Sequence, residues 1–415
     1  MGKEKIKLFF VFLLLFTVLF SFNKAGQALY ISQSLTNNYT YDLEKEQTYS
    51  SYMSYQLEIN RRLNLKSQRG NVYLNPQVTH GLTDNPEFAL PEAYLDIYFD
   101  KFDLRVGHQS IKWGKAEGLV VTNIMSPQDF SQYPVTKMEQ RFQNIDALKL
   151  NFYEGLADYE VIWISEFKGI NLQEEYLLSQ FREKMGFPVD PEINYSEIEP
   201  ETSLENSELG VRYSKMGRKF DYELTAAYLW DDFPVFHVQT DQQSVTITPR
   251  HHRYGSLGGS FSTTYDDFLF KGEGLLAGQK MYNVSDPDEY EEAVIAKNSL
   301  TGMLGMEYSA DDLDYSFQFL QEYLLDYEEQ IIQDQFSGQA TASVKGQFFR
   351  NNLTGSTTLF YDLNQESLKV KPELSYDYSD DLNVKMGADY FLQEGTGSLS
   401  QGSQNVIFLQ TEYLF

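Results

Sequence analysis

The chain ends on NVIFLQTEYLF, Asn405 to Phe415. Successive side chains of a strand point to opposite faces. Ile407, Leu409, Thr411, Tyr413 and Phe415 therefore share one face, and Phe408, Gln410, Glu412 and Leu414 share the other. Chain termini are usually frayed and polar. A chain that stops on an aromatic residue in mid-alternation ends inside a working element. A sheet closed on itself gives a terminal strand that role, because the last strand then pairs with the first and no edge stays open.

The same period-2 alternation recurs along the chain. In MSYQLEINR, Met53, Tyr55, Leu57 and Ile59 oppose Ser54, Gln56, Glu58 and Asn60. In VKMGADYFL, Val384, Met386, Ala388 and Tyr390 oppose Lys385, Gly387 and Asp389. The pattern predicts about eighteen strands, with sixteen possible, each near the roughly 9–11 residues that a tilted membrane strand needs. Tight connections near Asp100, Glu154, Lys215, Tyr265, Ser309, Arg350 and Tyr378 alternate with long ones at 113–142, 168–205, 231–250, 279–297, 324–336 and 393–403. A transmembrane barrel sorts its connections this way, with short turns at one end and long loops at the other. A propeller would show a blade repeat of about 40 residues, and none is present. The expected fold is a single all-β, antiparallel transmembrane barrel over 29–415.

The opening MGKEKIKLFFVFLLLFTVLFSFNKAGQA has the layout of a secretory signal peptide: Lys3, Lys5 and Lys7, an apolar run from Leu8 to Phe22, and small residues at Gly26 and Ala28. Residues 1–28 are therefore expected to be removed on export. The chain contains no cysteine, so disulfides, thiolate metal sites and cysteine catalysis are excluded. Its formal charge of −27 argues against nucleic acid as a partner. Tyr and Phe number 30 each, an abundance that suits the interfacial aromatic girdles of a barrel in the outer membrane.

The face assignment puts charge on the inner wall. Glu58, Asp96, Arg105, Lys149, Arg212, Glu223, Lys271, Glu273, Lys371 and Glu373 all fall on the polar face. Bases and acids are nearly balanced there, so much of the acidic surplus belongs in loops such as Ser285 to Glu292 (SDPDEYEE). That stretch lacks the Gly-centred spacing of a dedicated calcium loop.

One segment is more distinctive: LRVGHQSIKWGKAEGLVVTNIMSPQDFSQYPVTKMEQRF, Leu104 to Phe142. Arg105, Gly107, Gln109, Trp113 and Gly114, followed by Asn123, Pro127 and Asp129, resemble the R-x-G-x-Q-x-x-x-W-G and N-x-x-x-P-x-D pattern of a family of porin-like bacterial outer-membrane β-barrels. The resemblance implies an outer-membrane channel and assigns no substrate. The terminal alternation closing on Tyr413 and Phe415 also resembles the C-terminal signal of such proteins, which implies recognition by the barrel-assembly machinery. Physically, the loop after Trp113 is long and is stiffened by Pro127 and Pro134; it can fold into the lumen and narrow it, the alternative being an external loop packed on its neighbours. Arg105, Gln109, Lys115, Glu117, Asp129, Lys137, Glu139 and Arg141 are the candidate pore-lining and constriction residues.

No catalytic, metal or cofactor site is expected. Among His80, His108, His237, His251 and His252, only the last two adjoin, and neighbours on a strand face opposite ways. The expected function is passive diffusion of small hydrophilic solutes, without a chemical step. The alternatives are a plugged barrel serving as exporter or envelope scaffold and, behind it, an outer-membrane hydrolase. Expected partners are outer-membrane lipid, the assembly machinery and the solutes themselves; the sequence fixes no oligomeric state.

Overall fold

The computed structural model describes residues 29–415 apart from 66–67, 82–84, 130–141, most of 171–190, 196–198, 241–243, 287–289 and 394–404. Residues 1–28, the expected leader, lie outside the described residues.

Eighteen strands form one antiparallel sheet. In chain order they are β1 (Leu29–Asp42), β2 (Gln47–Leu65), β3 (Gln68–Gly81), β4 (Glu87–Tyr98), β5 (Phe102–Gln109), β6 (Ile145–Glu154), β7 (Ala157–Ile164), β9 (Glu208–Lys215), β10 (Phe220–Trp230), β13 (Arg253–Tyr265), β14 (Phe268–Asn283), β15 (Val294–Ala310), β16 (Leu313–Leu324), β17 (Phe336–Phe348), β18 (Leu353–Asp362), β19 (Ser367–Ser379), β20 (Leu382–Gln393) and β21 (Val406–Leu414). Three further strands, β8 (Glu192–Ile193), β11 (Val235–Thr240) and β12 (Val245–Arg250), make a small separate sheet. The large sheet closes: β1 pairs with β2 on one side and with β21 on the other, from Ser34↔Leu414 to Asp42↔Val406. The Phe415 amide donates to Gln33 O at 3.0 Å.

Both termini of the barrel lie at the end that carries the turns at 99–101, 155–156, 266–267, 311–312 and 380–381. The long connections gather at the opposite end. Three connections there are also short, at 43–46, 82–86 and 363–366. The expected long connection at 279–297 is corrected to 284–293. β14 carries a bulge at Gly278–Gln279, where Gln279 has φ 59°, and the strand then resumes to Asn283. The extra residue flips the alternation, so a period-2 reading stops too early.

The outward face is apolar and exposed, as a face against hydrocarbon must be: Tyr55, Val106, Leu224, Leu257, Leu304 and Met386 all belong to it. Near the turn end it becomes a chain of aromatic contacts: Phe102–Phe152 at 5.5 Å, Tyr159–Tyr213 at 5.0 Å, Phe220–Phe261 at 5.6 Å and Phe268–Tyr308 at 4.8 Å. Such a belt suits a membrane–water boundary, where a ring buries its apolar body and keeps its polar tip wet.

The register carries the inner face from strand to strand. Asp96, Arg105 and Lys149 are consecutive partners across β4, β5 and β6. Glu223, Ser260 and Glu273 follow across β10, β13 and β14. The polar face read from the sequence is this inner wall.

Above the barrel, the 231–252 connection is a hairpin of β11 and β12, with β8 alongside. Its Phe236, Val238, Val245 and Ile247 are buried against Leu178, Phe181, Val284, Ala293, Leu324 and Ile331 from neighbouring connections and strand ends. These external connections thus share an apolar core of their own.

Candidate functional site

The segment that follows β5 lies against the inner wall. Gly107 starts it. Its φ is +133°, and a Cβ there would stand 2.3 Å from Ala93 O, so only glycine permits this approach to β4. Gln109 is fully buried, and its Nε2 donates to Ala147 O (2.8 Å) and Gly107 O (3.2 Å). The chain then leaves the sheet. Ile111, Trp113 and Met125 pack onto Ile145, Ala147, Ile162, Ile164 and Leu229 from β6, β7 and β10. Wall position 210 is glycine for the same reason of space: a Cβ there would lie 2.5 Å from Met125 Sδ and 2.7 Å from Trp113 Cη2.

Asn123 accepts the Trp113 amide at 3.0 Å, Ser126 Oγ donates to Ile111 O at 3.2 Å, and the Gln143 amide donates to Pro127 O at 2.8 Å. These bonds fold 110–127 into a closed loop. The tip is pinned by wall side chains. Glu273 Oε1 accepts the Lys115 and Ala116 amides at 2.7 and 2.8 Å. Glu273 Oε2 accepts the Val121 and Thr122 amides at 2.8 and 2.9 Å, and Thr122 Oγ1 at 3.1 Å. Glu223 accepts the Gly114 amide at 3.1 Å, and Gln318 accepts that of Leu119 at 2.8 Å. Gly114, with φ +93°, would bring a Cβ to 2.3 Å from Glu273 Oε1. Glu273 is buried. A buried carboxylate demands compensation, and five donors supply it.

Charges around this loop are interleaved. Lys115 Nζ lies 3.0 Å from Glu223 Oε1, which Arg212 also approaches at 3.5 Å. Arg212 reaches Glu160 at 3.4 Å and Lys149 reaches it at 3.8 Å, while Trp113 Nε1 donates to Glu160 at 2.6 Å. Lys271 lies 2.6 Å from Glu307 and 3.6 Å from Glu117. Arg105 holds Asp96 in a two-point contact at 2.7 and 3.1 Å and lies 3.8 Å over the Tyr94 ring, which stacks on Tyr73. A two-point guanidinium–carboxylate contact fixes both partners in one plane.

The residues singled out from the sequence divide accordingly. Arg105 and Gln109 face inward on β5. Lys115 and Glu117 sit at the tip; Glu117 is the exposed one, its side chain 83% accessible. Asp129 is half-buried at the base, beside the Gln128↔Phe142 bridge, and is not at the tip. Lys137, Glu139 and Arg141 lie outside the described residues. Tyr413 and Phe415 meet edge-on at 4.7 Å on the outward face. His251 and His252 diverge: His251 Nδ1 lies 2.6 Å from Asp231 O, whereas His252 turns to His237. The sequence reading missed Glu160, Gln318 and Gly210 as parts of this site, and it treated Glu223 and Glu273 as plain wall charges. Period 2 gives the face of a residue but not its height, and the loop meets the wall at particular heights.

A closed eighteen-strand barrel with short turns at one end, loops at the other and an inward-folded connection after β5 has the architecture of a transmembrane β-barrel. Solved structures give this class particular neighbours. Acinetobacter baumannii OccAB1 matches with TM-score 0.58 and 8% identity, covering 94% of this chain and 97% of that one. OccAB3 from the same organism matches with TM-score 0.56 and 12% identity, covering 93% and 99%. Pseudomonas aeruginosa OccK2 (OpdF), solved in complex with glucuronate, matches with TM-score 0.57 and 10% identity, covering 93% and 98%. These neighbours are outer-membrane porins. At such identities the likeness shows the fold alone. No family model and no curated protein matches the chain.

Proposed function

We propose that this chain is an outer-membrane channel through which small hydrophilic solutes diffuse passively, and that the 110–127 loop is its constriction. One observation carries the reading: the loop tip is bonded to Glu223, Glu273 and Gln318, which face inward from three different strands of the wall. A barrel of this strand number is too wide for wall side chains alone to fill, so an inward loop sets the passage. Selectivity then comes from width and from the charges at the narrowing. Arg105, Lys115 and Glu117 belong to that narrowing in this reading, with Glu223, Lys271 and Arg212 behind them; Gln109, fully buried, fastens the start of the loop and does not face the path. Because the basic residues named there each have a carboxylate within 4 Å, carboxylate solutes gain little, and neutral polar solutes are favoured. Residues 1–28 serve as a cleaved leader, and Tyr413 with Phe415 as the assembly signal. No step of this function requires a cofactor or a reaction.

The test is conductance in a planar bilayer. Discrete, ohmic steps are expected, and they should grow when 115–121 is shortened to a two-residue link. A plugged barrel is the second reading. It is favoured by the near-complete burial of inward-facing Thr40, Asp42, Asp389 and Gln410. Absence of conductance from correctly folded protein would establish it and end the channel reading.

A further inference from the structure

Where the external hairpin meets the barrel rim, Glu292, His237 and His252 stand in one line. His237 Nδ1 is 2.5 Å from Glu292 Oε2, and His237 Nε2 is 2.7 Å from His252 Nε2. Glu292 also accepts from Gln239 Nε2 (2.9 Å) and Arg250 Nη1 (3.1 Å). Glu292 and Ala293 have φ of 55° and 60°, a region that side-chain-bearing residues seldom occupy without external support. The bonds to Glu292 supply that support and fasten the 284–293 connection to the β11–β12 hairpin. His252 immediately precedes β13, so the same line ties both connections to the wall.

The two imidazoles meet head to head. Their centroids are 5.0 Å apart, which is the nitrogen–nitrogen distance plus one ring radius on each side. Each nitrogen therefore points straight at the other. Two ligands of a tetrahedral ion instead aim at a third point off the line between them, so this geometry calls for a shared proton and leaves no place for an ion. One of the two facing nitrogens must carry hydrogen and the other a lone pair. The line tolerates one positive charge on the pair. It does not tolerate two, because both facing nitrogens would then be donors.

We propose that Glu292–His237–His252 is an acid-released latch, which holds the external cap on the rim and lets it go when the pair takes a second proton. Its bearing on solute passage rests on the channel reading; the latch itself does not. Among the described residues, the charged groups facing the line include Arg250 from β12, Asp231 just after β10 (itself paired with Lys280 at 3.1 Å), and His251. Burial, and after it the His237 and Arg250 charges, push the His252 imidazole down to about 4, although Asp231 opposes them. A released imidazole protonates near its ordinary 6.5. The latch therefore holds fully above that pH, weakens as pH falls below it, and is spent near 4. His251 is also pushed down by burial, but it faces the Asp231 carbonyl and stands outside the line.

The test is amide hydrogen exchange of the full-length protein in detergent at pH 7 and pH 4, corrected for intrinsic rates and read on the peptide spanning 284–293. Exchange there is expected to rise about tenfold or more in acid, while the strands stay protected. His252→Gln keeps a polar group at the meeting point but cannot take a proton, so it should abolish the acid step; His251→Gln should retain it. A His252→Gln protein already open at pH 7 still supports the latch if acid opens it no further. Equal protection of 284–293 at both pH values in the unmodified protein, or an undiminished acid step in both His252→Gln and His237→Gln, overturns it. Since exchange is read without current, failure of the latch and failure of the channel reading remain distinct.

Discussion

Two connections of this barrel each centre on a glutamate, and the two glutamates act in opposite ways. Inside, Glu273 belongs to the wall and gathers backbone amides of the loop. Outside, Glu292 belongs to the loop and is gathered by side chains of the hairpin. Amides do not titrate, so the inner fastening does not depend on the charge of its donors. Imidazoles do, so the outer one depends on pH. Both also have apolar support: the inner loop packs Ile111, Trp113 and Met125 on the wall and Leu119 and Val121 on Met303, and the outer connections share a core around Ile247 and Phe236. The comparison predicts a constriction that either holds or is lost, and a cap that loosens by degrees.

The sharpest way to break the comparison is Glu273→Ala. It leaves five donors without their acceptor, and each bond to a charged group contributes about 1.5–3 kcal/mol in favourable settings. The contributions are not additive, and water will reach some of the freed amides, so about 3–5 kcal/mol is a fair expectation for the loop. Conductance should rise and current noise with it, while the heat-modifiable barrel still forms. A quiet channel of unchanged conductance would mean that Glu273 is not what holds the tip. The outer counterpart is Ile247→Ala, at a fully buried site. Its expected cost is about 2–5 kcal/mol to the cap. Hydrogen exchange in 235–250 should show it at every pH, without the acid step that belongs to the latch.

These two sites were unequally legible in the sequence. Alternation gave the strands, the closing pair and the inner wall, because a strand's side-chain period is two wherever the wall is regular. It failed at the Gln279 bulge, where one extra residue reverses the faces. The motif around Arg105–Gly114 drew attention to the inner loop, and its glycines have a steric reason in Ala93 O and Glu273 Oε1. The partners of the loop were not legible. Glu273, Glu223 and Gln318 look like other wall residues, and only the stagger of neighbouring strands sets them at the height of the tip. The outer line was less legible still. His237 and His252 lie 15 residues apart in one connection and Glu292 in another, and Glu292 closes an acidic run that reads as solvated charge.

A smaller effect is expected at the closing strand. Tyr413 and Phe415 face outward, exposed, and meet each other edge-on, so their loss should spare the folded wall and act during assembly. Replacing both with Ser is expected to leave export intact and lower the amount of heat-modifiable barrel in the outer membrane several-fold. Wild-type amounts would separate the terminal strand's role in closure from any role as a signal.

The smallest effect should be on ion selectivity, despite a formal charge of −27. Charges at the external end are screened beyond roughly 8 Å at physiological salt, so the surplus in the loops acts on solutes at the mouth more than at the narrowing. At the narrowing, Lys115 and Arg212 share Glu223, Lys149 and Arg212 share Glu160, and Lys271 meets Glu117 and Glu307. Opposite charges this close cancel over distances comparable with a hydrated ion. Only a weak cation preference is therefore expected from reversal potentials in dilute salt, and it should fade in molar salt, where the screening length falls to about 3 Å. Lys115→Met removes one positive charge from the tip and leaves Glu223 with the Arg212 guanidinium and its neutral donors. It should raise the cation preference in dilute salt by no more than about twofold, because the freed carboxylate still has a guanidinium at 3.5 Å. Strong anion selectivity, or near-ideal cation selectivity persisting in molar salt, would show that these ion pairs do not line the path that ions take.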